Sequence, residues 1–529
     1  MSDRDRSFWG WGYADRFPGE DERQALAERL QTELGFPERP LLEPPTIESV
    51  AVPDTSLDVP SRLEDVVTID REERIRHTHG RAYRDLVRGF HGEYSAAPDA
   101  VATPGSEEAV ERLLAWASEV GVAVVPYGGG TSVVGGVEPA VDPEYAGVVT
   151  CSLAEMTDTL AVNETDRTAR FEAGITGPAL NASLETHGLQ LRHYPQSYEF
   201  STLGGWVATR AGGHFATRYT HIDDFLQRAT AVTPSGRLST NPVPASGAGP
   251  DPNRFLLGSE GAFGVITDAT VRVQPRPEHR ASATVLFEDF ERGVDATRAI
   301  AQSRLYPANC RLLDPMEAMI NEVRMDGSTV LVLGFESIDG PVDAQLERAL
   351  SLCEERGGTP TDGSGNDSGP GRDWRKAFLE GPYLFNTLVS IGVLVDTFET
   401  ATTWERFPAL HAALTEAVTA TMRETCGTGV LSCRFTHVYP DGPAPYYTIL
   451  APADPGRELE QWRPIKETAA AVLLEHGATI THHHAVGRIH RPWYEREMPE
   501  QYLGALRSMK RTLDPAGVMN PGVLLSGSE

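Results

Sequence analysis

Lysine is almost missing from this chain of 529 residues: Lys376, Lys466 and Lys510 are the only lysines among its 47 basic side chains. Against them stand 75 acidic residues, which leave a net charge of −28. A chain with this excess of negative charge repels nucleic acids and anionic membrane surfaces. We therefore expect no nucleic-acid partner.

Cysteine is also scarce, and no two cysteines have the Cys-x-x-Cys spacing. This excludes an iron–sulfur module and predicts reduced, mostly buried thiols in a cytosolic protein. No apolar run approaches the length of a membrane span, and the first residues lack the apolar stretch of a signal peptide. We expect a cytoplasmic protein without a transmembrane segment. The cysteines are Cys151, Cys310, Cys353, Cys426 and Cys433.

The length suits two or three domains, and 40% hydrophobic residues suffice for a large core. Residues 1 to about 90 mix helical patches with proline-rich connections. From about residue 95 helices and strands alternate. Residues 275–277 (Pro-Arg-Pro) end a predicted strand and are the best candidate for a domain boundary. Residues 359–373, rich in Gly, Ser, Asp and Pro, predict a mobile surface loop.

Several elements can be predicted from local pattern. Ser106 can cap a helix whose apolar residues recur with a period of 3.6, and Gly121 can end it. Residues 122–125 read as a buried strand, and residues 168–173 as another. Residues 269–273 alternate apolar and polar side chains, which predicts a half-buried strand.

Three glycine-rich segments follow one another along the chain, at 126–132, 201–213 and 258–267. The first lacks the Gly-Lys-Ser/Thr ending of a Walker A loop and the glycine spacing of the dinucleotide fingerprint. Consecutive glycines allow backbone N–H groups to approach a pyrophosphate closely. Each segment alone is usually just a turn. The three together favour a site for a flat, phosphate-bearing ligand.

Three consecutive histidines, His482, His483 and His484, end an apolar segment. If the segment is extended, His482 and His484 point to one side and His483 to the other. Such imidazoles can serve an oxygen-bearing substrate. The alternatives are an exposed turn, or a metal site made by His482 and His484. No Asp-His-Cys cluster with ligand spacing lies nearby in sequence, so we predict no metal.

In this order, the glycine-rich segments resemble the flavin-binding domain of the vanillyl-alcohol-oxidase superfamily. Five further motifs resemble the alkyldihydroxyacetonephosphate synthase family within it, over nearly the whole chain. The Trp-Gly-Trp-Gly start and the triple histidine are typical of that branch. The motifs are residues 8–13 (Phe-Trp-Gly-Trp-Gly-Tyr), 173–177 (Ala-Gly-Ile-Thr-Gly), 199–206 (Glu-Phe-Ser-Thr-Leu-Gly-Gly-Trp), 398–400 (Phe-Glu-Thr) and 482–484.

The resemblance implies an α+β fold: a PCMH-type FAD-binding domain of two subdomains, an α+β substrate cap domain and an N-terminal helical extension. We accordingly expect an N-terminal helical region at 1–92, an FAD-binding domain at 93–277, a cap domain at 278–480, and a C-terminal segment at 481–529 that returns to the FAD domain.

The family's reaction exchanges the acyl chain of acyl-dihydroxyacetone phosphate for a fatty alcohol at the flavin N5, without net oxidation, and yields an ether lipid precursor. The resemblance therefore implies a transferase with a non-covalent FAD and a small-molecule or lipid substrate. A homodimer is among the expectations. The alternative is an FAD-dependent dehydrogenase of a 2-hydroxy acid or an alcohol.

The resemblance places the FAD on four segments of this chain. The predicted cofactor-binding residues are Pro126, Tyr127, Gly128, Gly129, Gly130, Thr131, Ser132, Gln196, Ser197, Tyr198, Glu199, Phe200, Ser201, Thr202, Thr209, Arg210, Ala211, Gly212, Glu260, Gly261, Ala262, Phe263, Gly264, Val265 and Ile266.

The resemblance also implies catalytic roles. Tyr446 matches the family's catalytic tyrosine, a role that suits it if neighbouring charges lower its pKa. The alternative is an ordinary strand aromatic. Arg311 matches an arginine needed for activity, and its alternatives are a salt bridge to Asp314 or a surface position. His482, His483 and His484 match the family's histidine loop, which binds or deprotonates a substrate hydroxyl.

Two departures from the family concern substrate recognition. Phe385 stands where the family has a substrate-binding arginine, and phenylalanine cannot pair with a phosphate. Residues 214–220 replace a basic stretch of the family. Recognition of a phosphate then depends on compensation by Arg375, Lys376 or Arg434.

Overall fold

The structure, a computed structural model, describes residues 4–361 and 381–526. Within these ranges the strands are β1 Val67–Thr68, β2 Ala100–Ala102, β3 Val122–Tyr127, β4 Gly147–Ser152, β5 Thr159–Asn163, β6 Thr168–Glu172, β7 Leu189–Gln190, β8 Leu226–Thr233, β9 Gly236–Ser239, β10 Val265–Arg272, β11 Gln274–Pro275, β12 His279–Phe287, β13 Asn309–Leu313, β14 Thr329–Ser337, β15 Thr359–Pro360, β16 Val393–Glu399, β17 Val430–Val438 and β18 Pro443–Pro452.

The helices in the same ranges are α1 Glu20–Leu34, α2 Arg71–Arg76, α3 Tyr83–Phe90, α4 Glu107–Val120, α5 Gly177–Glu185, α6 Leu203–Thr209, α7 Asn253–Leu256, α8 Phe290–Gln302, α9 Pro315–Ile320, α10 Asp343–Glu354, α11 381–390, α12 Phe407–Cys426, α13 Glu458–Glu475, α14 Arg491–Glu497 and α15 Glu500–Leu513. Short 3-10 turns lie at Ala14–Arg16, Ile47–Ser49, Ser61–Leu63 and Ile222–Asp224.

Sheet I has four strands in the order β1-β2-β4-β3, of which β2, β4 and β3 are parallel. Helix α4 makes the crossover from β2 to β3. It begins after Ser106, whose hydroxyl accepts the N–H of Ala109 at 3.2 Å, and ends at Gly121 with φ +73°. The predicted helix, both of its ends and the strand after it are confirmed, because each depends on local chemistry.

Sheet II has five antiparallel strands in the order β5-β6-β10-β8-β9. The predicted strand at 168–173 is β6. The strand at 269–273 belongs to β10, but the prediction that it is half-buried is wrong, since seven of its eight residues are buried. Strand β10 is the central strand, and α6 packs against it. Both faces are therefore covered despite the alternating pattern.

Sheet III has seven antiparallel strands in the order β15-β12-β14-β13-β17-β18-β16. Helices α8, α10, α12 and α13 pack on it. Of the predicted loop at 359–373, residues 359–360 form β15, and residues 362–373 lie outside the described residues. Strands β7 and β11 form a separate two-stranded antiparallel sheet. Together with sheets I to III and their helices they give the expected α+β architecture.

The N-terminal region packs on the side of sheet III. Trp9, Trp11 and Phe36 belong to the same apolar cluster as the buried residues of that sheet. The backbone N–H of Trp11 donates to Asn386 Oδ1 at 2.8 Å, and Asn386 Nδ2 donates to Trp11 O at 2.9 Å. The N-terminal segment is thus fastened to α11.

The C-terminal segment returns to sheet I. Met519 forms a parallel bridge with Val124 in β3, and the N–H of Val124 donates to Val518 O at 2.8 Å. The last described residues therefore extend the sheet whose β3 leads into the first glycine-rich segment.

Candidate active site

One cavity lies between the glycine-rich loop after β3 and the strands of sheet III. Its wall combines Gly128–Ser132, the residues around α6, side chains from β13, β16, β17 and β18, and two histidines of the triplet. We call residues 481–484 the histidine loop. The cavity thus brings together segments that are more than 350 residues apart in the sequence.

About half of the predicted cofactor-binding residues line this cavity. Those in its wall are Gly128, Gly129, Gly130, Thr131, Ser132, Gln196, Ser197, Ser201, Thr202, Thr209, Ala211 and Gly212. The wall does not include Pro126, Tyr127, Tyr198, Glu199, Phe200, Arg210, Glu260, Gly261, Ala262, Phe263, Gly264, Val265 or Ile266.

Glu260 lies outside the cavity wall and holds the segment that follows the histidine loop. Its carboxylate accepts the N–H groups of Val486 at 2.9 Å and Gly487 at 2.7 Å. Its carbonyl oxygen accepts a hydrogen bond from Asn520 Nδ2 at 2.6 Å. Burial raises the pKa of Glu260 to about 7, against the opposing effect of the two N–H donors. The third glycine-rich segment thereby holds the chain that follows the histidine loop.

The glycine-rich loops leave a cradle that suits FAD. A Cβ added at Gly128 would lie 2.3 Å from Thr202 Oγ1, and one at Gly129 would lie 2.0 Å from Phe200 O. The two loops therefore touch, and side chains at these glycines would destroy the contact. Thr131, with its hydroxyl, and Arg81, whose guanidinium also donates to the carbonyl oxygens of Ser7, His79 and Gly80, line this part of the wall. Such donors suit an anionic pyrophosphate.

Glu399 organises the histidine loop. Its carboxylate oxygens accept the backbone N–H groups of His482 at 2.6 Å, His483 at 3.1 Å and His484 at 2.9 Å, and the hydroxyl of Thr481 at 2.6 Å. Burial opposes the charge, yet the neighbouring imidazoles of His483 and His484 hold the pKa of this carboxyl well below its usual range. Glu399 is therefore a buried carboxylate with four donors.

The expected alternation of the three histidines is wrong. Because all three N–H groups converge on one carboxylate, the loop is bent and not extended. His483 and His484 line the cavity together. His482 lies behind them, where its Nε2 is 2.8 Å from the hydroxyl of Tyr439. The alternative of an exposed turn is also excluded, since none of the three is exposed.

Another histidine, His437, completes this cluster. Nitrogen atoms of His437, His482 and His483 lie within 4.8 Å of one another, a spacing at which three imidazoles could share a cation. The pair suggested by the sequence, His482 with His484, is not the one that the fold brings together in this way. Nε2 of His437 is 3.0 Å from Gly213 O, which links the cluster to the second glycine-rich segment.

Tyr446 lies in the cavity wall between sheet III and the histidine loop. Its hydroxyl donates to Thr397 Oγ1 at 3.0 Å, and the guanidinium of Arg434 stacks 3.9 Å from its ring centroid. Burial raises the pKa of Tyr446 although Arg434 lowers it. The condition that neighbouring charges lower the pKa of Tyr446 is therefore not met in the net direction. Tyr446 is a neutral hydroxyl.

Arg311 is buried in β13 and lines the same cavity. Its Nη2 donates to His214 O at 3.3 Å. Burial and the nearby Arg434 lower the pKa of Arg311. Asp314 instead caps α9 through the N–H of Glu317, so neither a salt bridge to Asp314 nor a surface position describes Arg311.

The two departures from the family also lie at this cavity or beside it. Phe385, on α11, is part of the wall, as is Arg434. Arg434 pairs with the fully buried Glu317. Arg375 and Lys376 lie outside the described residues. At 214–220, Arg218 stacks 3.6 Å from the ring centroid of Tyr306.

One part of the cavity wall, which we call the apolar end, is formed by α1, α9 and α11, with Trp11 beside them. Apolar side chains predominate there, although Arg29, Glu33 and Glu317 of the same helices also line the cavity. An aliphatic chain would be removed from water here. The apolar side chains in this part of the wall are Leu26, Leu30, Leu34, Ile320, Leu384, Phe385, Leu388, Val395 and Leu450.

Sequence reasoning missed several residues of the site. Glu399 was recognised as part of a motif but not as the acceptor that shapes the histidine loop. His437 and Arg81 carried no signal of their own, since each is isolated in a segment without a chemical pattern, and Trp11 belonged to the Trp-Gly-Trp-Gly motif but was not predicted to line the cavity. Arg434 was predicted only as a possible replacement for the family arginine that is missing at position 385.

Comparisons with known proteins agree with this geometry. A family model described as an FAD binding domain matches residues 98–240, and one described as FAD linked oxidases, C-terminal domain, matches residues 276–524. An alkyldihydroxyacetonephosphate synthase of Trypanosoma brucei brucei is 30% identical over 512 residues, which cover 92% of this chain and 82% of the relative. That of Dictyostelium discoideum is 29% identical over 493 residues, covering 88% and 79%.

Solved structures give the same picture. A structure of an alkyldihydroxyacetonephosphate synthase superposes with a TM-score of 0.79 at 25% identity and covers 98% of both chains. A structure of p-cresol methylhydroxylase superposes with a TM-score of 0.68 at 14% identity, covering 87% of this chain and 93% of the other, and so shows the shared fold alone.

The predictions of a PCMH-type fold and of FAD as the cofactor are confirmed by these matches. Among the residues that the structure describes, no helix has the length and apolarity to cross a membrane. With a relative at 30% identity over nearly the whole chain, the family is established. The chain belongs to the alkyldihydroxyacetonephosphate synthase family of FAD-dependent enzymes.

Proposed function

We propose that this enzyme replaces the acyl chain of an acyl-dihydroxyacetone phosphate with the alkoxy group of a fatty alcohol. The observation that carries the proposal is the composition of one cavity. It joins the glycine-rich cradle for FAD, the neutral hydroxyl of Tyr446, the imidazoles of His483 and His484, and an apolar end for a chain.

The apolar end supports a lipid substrate. Side chains from α1, α9 and α11 line it, and the polar groups Tyr446, Arg434 and His483 stand elsewhere on the wall. A substrate with a long chain and a small polar head fits this division, because the chain leaves water while the head meets donors.

Two arginines support an anionic headgroup. Arg311 and Arg434 line the cavity, where Arg434 pairs with Glu317 of α9. Guanidinium groups bind phosphate and carboxylate oxygens through parallel N–H donors. We propose that Arg434 supplies the recognition that Phe385 cannot.

The bound FAD supplies the reactive centre at which the exchange takes place without net oxidation. Tyr446, whose hydroxyl stays protonated, would donate its one hydrogen bond to the substrate in place of Thr397. His483 and His484, fixed by Glu399, face the same space. Burial lowers the pKa of His484 to about 3, so its ring is neutral and can accept a proton only transiently.

The experiment uses the purified holoenzyme with acyl-dihydroxyacetone phosphate and a fatty alcohol, and measures released fatty acid and the flavin spectrum. We expect exchange without lasting bleaching of the flavin. Tyr446→Phe should lower kcat by about 100-fold. The control is Tyr447→Phe: Tyr447 follows directly in β18, is not part of the cavity wall, and bonds His411 at 3.2 Å.

Phe385 favours a second candidate, oxidation of a 2-hydroxy acid or an alcohol, because the wall lacks an arginine at this position. In that reaction a histidine removes the hydroxyl proton while the flavin is reduced. Anaerobic mixing with candidate hydroxy acids should then bleach the flavin permanently. Bleaching without acyl exchange would replace the synthase proposal by this one.

Other expectations stay predictions. The division at residues 277 and 480 is supported by sheet III, whose strands lie between residues 279 and 452, and by the return of the C-terminal segment to β3. The boundary at 92 has no such support, because β1 pairs with β2 in sheet I. A role of residues 260–266 in FAD binding would be indirect, through the bracing by Glu260. Non-covalent attachment of FAD, a homodimer and a cytoplasmic location are predicted from the sequence alone.

A further inference from the structure

A chain of hydrogen bonds leads away from the cavity through the histidine loop. His483 lines the cavity, and its Nδ1 is 3.0 Å from Nδ1 of His482. Nε2 of His482 is 2.8 Å from the hydroxyl of Tyr439, which also bonds Thr220 Oγ1 at 3.2 Å. Four side chains are thus connected without a gap.

A backbone carbonyl sets the direction of this chain. Nε2 of His221 is 3.1 Å from the carbonyl oxygen of His482, which can only accept, so Nε2 of His221 carries the proton. Burial lowers the pKa of His221, so the ring is neutral and its Nδ1 is an acceptor. That atom, 3.1 Å from Thr220 Oγ1, receives the hydroxyl proton of Thr220.

The positions of the remaining protons in the hydrogen-bond chain follow from this assignment. Since Thr220 donates to His221, its oxygen accepts from the hydroxyl of Tyr439. The oxygen of Tyr439 then accepts from Nε2–H of His482. Burial and the surrounding positive groups lower the pKa of His482 well below its usual range, so this ring is neutral and its Nδ1 accepts from Nδ1–H of His483.

Glu399 supports the same assignment from the other side. Its Oε2 lies 3.4 Å from Nδ1 of His483, and a carboxylate stabilises a proton on the nitrogen that faces it. With this proton on Nδ1, the lone pair of the His483 ring is on Nε2. Every donor from His483 to Tyr439 points the same way, out of the cavity.

The hydrogen-bond chain meets a second opening of the protein at Tyr439. Tyr439 forms part of the wall of a separate cleft, which we call the outer cleft, defined by Ala401–Thr403, Tyr439, Asp441 and Glu497. Asp441 and Glu497 supply carboxylates on its wall. Tyr439 is thus the contact between the hydrogen-bond chain and this cleft.

The proposed exchange reaction releases a proton. The C–O bond to the acyloxy group breaks, the C–O bond to the alcohol oxygen forms, and the proton of the alcohol hydroxyl is left over. The acyl product leaves as a carboxylate, because carboxylic acids are ionised at neutral pH. A buried cavity occupied by lipid needs a route for that proton.

We propose that His482 and Tyr439 form a proton exit path from His483, on the wall of the active-site cavity, to the outer cleft. His483 accepts the alcohol proton at Nε2 and releases its Nδ1 proton to His482. His482 passes its Nε2 proton to Tyr439, and the Tyr439 hydroxyl, after turning away from Thr220, releases its own proton to water in the outer cleft. The inference rests on the proposed exchange function.

The activity test uses Tyr439→Phe in the holoenzyme, with Tyr145→Phe as the control. Tyr145 also donates one hydroxyl hydrogen bond, to Gly517 O at 2.9 Å, but lies outside the site. We expect kcat of Tyr439→Phe to fall by about 100-fold with an unchanged flavin spectrum and an unchanged KM. The rate should then rise with added imidazole, a small proton carrier, at constant pH and ionic strength.

Wild type and Tyr145→Phe should be insensitive to imidazole. A Tyr439→Phe enzyme with the wild-type rate and no dependence on imidazole would overturn the exit path. So would one stoichiometric zinc ion retained by the wild type after gel filtration, because an ion shared by His437, His482 and His483 would occupy the nitrogens of the path.

A second measurement does not depend on activity. Long-range ¹H–¹⁵N spectra of ¹⁵N-histidine-labelled protein report which ring nitrogen carries the proton. We expect His482 protonated at Nε2 and His483 at Nδ1, assigned with His482→Asn and His483→Asn. A proton on Nδ1 of His482 would contradict the path. If the wild type shows no exchange, the function fails, while these spectra still test the hydrogen-bond chain.

Discussion

At the scale of single residues, one carboxylate determines how the histidine triplet is presented. Glu399 ends β16, and the histidine loop is more than 80 residues later in the chain. By accepting three successive N–H groups it bends the loop, and two adjacent imidazoles then share one wall of the cavity. Neighbouring side chains on an extended segment could not do so.

Glu399→Gln tests this role. The amide group of glutamine would face N–H donors in place of an oxygen, so at least one buried donor loses its acceptor. We expect a loss of unfolding free energy of about 1–3 kcal/mol and a large drop in kcat. The measurements are urea denaturation and the rate of fatty acid release. Glu405→Gln, at an exposed position, is the control and should match the wild type in both.

The difference in stability between wild type and Glu399→Gln depends on pH. The pKa of Glu399 is depressed in the folded protein, so its contribution to stability is present above the carboxyl pKa of the unfolded chain. It is lost as the pH falls through the folded value. The difference in stability between wild type and Glu399→Gln should therefore be full at pH 7 and shrink on acidification below about 4.3. A stability difference that grows as the pH falls would contradict a lowered pKa for Glu399.

At the scale of elements, the Trp-Gly-Trp-Gly segment fastens the N-terminal region to α11. Its glycines are required by close approach. A Cβ at Gly12 would lie 2.2 Å from the ring of Tyr383, and Gly12 has φ +71°. The reciprocal hydrogen bonds between Trp11 and Asn386 then hold Trp11 at the cavity wall. The motif thus contributes to the shape of the apolar end.

Gly12→Ala should loosen this attachment. The added methyl group meets an aromatic ring and a left-handed backbone, so we expect a loss of about 1–3 kcal/mol in unfolding free energy. We also expect a raised KM for long-chain substrates. Gly504→Ala is the matched control, because a Cβ there meets nothing within 4 Å in α15. It should raise stability by about 0.5–1 kcal/mol. Equal effects of the two would contradict the close-approach argument.

At the scale of the whole molecule, the C-terminal segment ties the glycine-rich loops to each other. Asn520 Nδ2 donates to Gly136 O at 3.0 Å and to Glu260 O at 2.6 Å. Glu260 in turn holds Val486 and Gly487, just after the histidine loop. The loop after β3, the third glycine-rich segment and the chain after the histidine loop are therefore joined by one buried network.

Asn520→Ala should weaken this network without touching the cavity wall. Two carbonyl oxygens lose their donor, for which we expect a cost of about 1–3 kcal/mol. Flavin affinity should fall by about tenfold, since 1.4 kcal/mol corresponds to that factor. Flavin release can be followed by fluorescence during dilution. Asn241→Ala, at an exposed position, should bind flavin like the wild type.

Local chemistry made much of the fold predictable. Ser106 and Gly121 mark the ends of α4, and β3 follows where the apolar run begins. The burial of β10 was misjudged, because its alternating pattern contains no information about the helix α6 that covers it. Position in the sheet decides burial more strongly than the sequence of a single strand.

The sequence by itself determined the family, the flavin cofactor and the residue types of the site, because glycine-rich loops and the histidine triplet are contiguous motifs. Only the tertiary structure decided how these residues act. The bend of the histidine loop depends on Glu399, the raised pKa of Tyr446 on burial, and the direction of the hydrogen-bond chain on Tyr439 and His221. These partners are distant in the chain, and hydrogen bonds and desolvation act between neighbours in space.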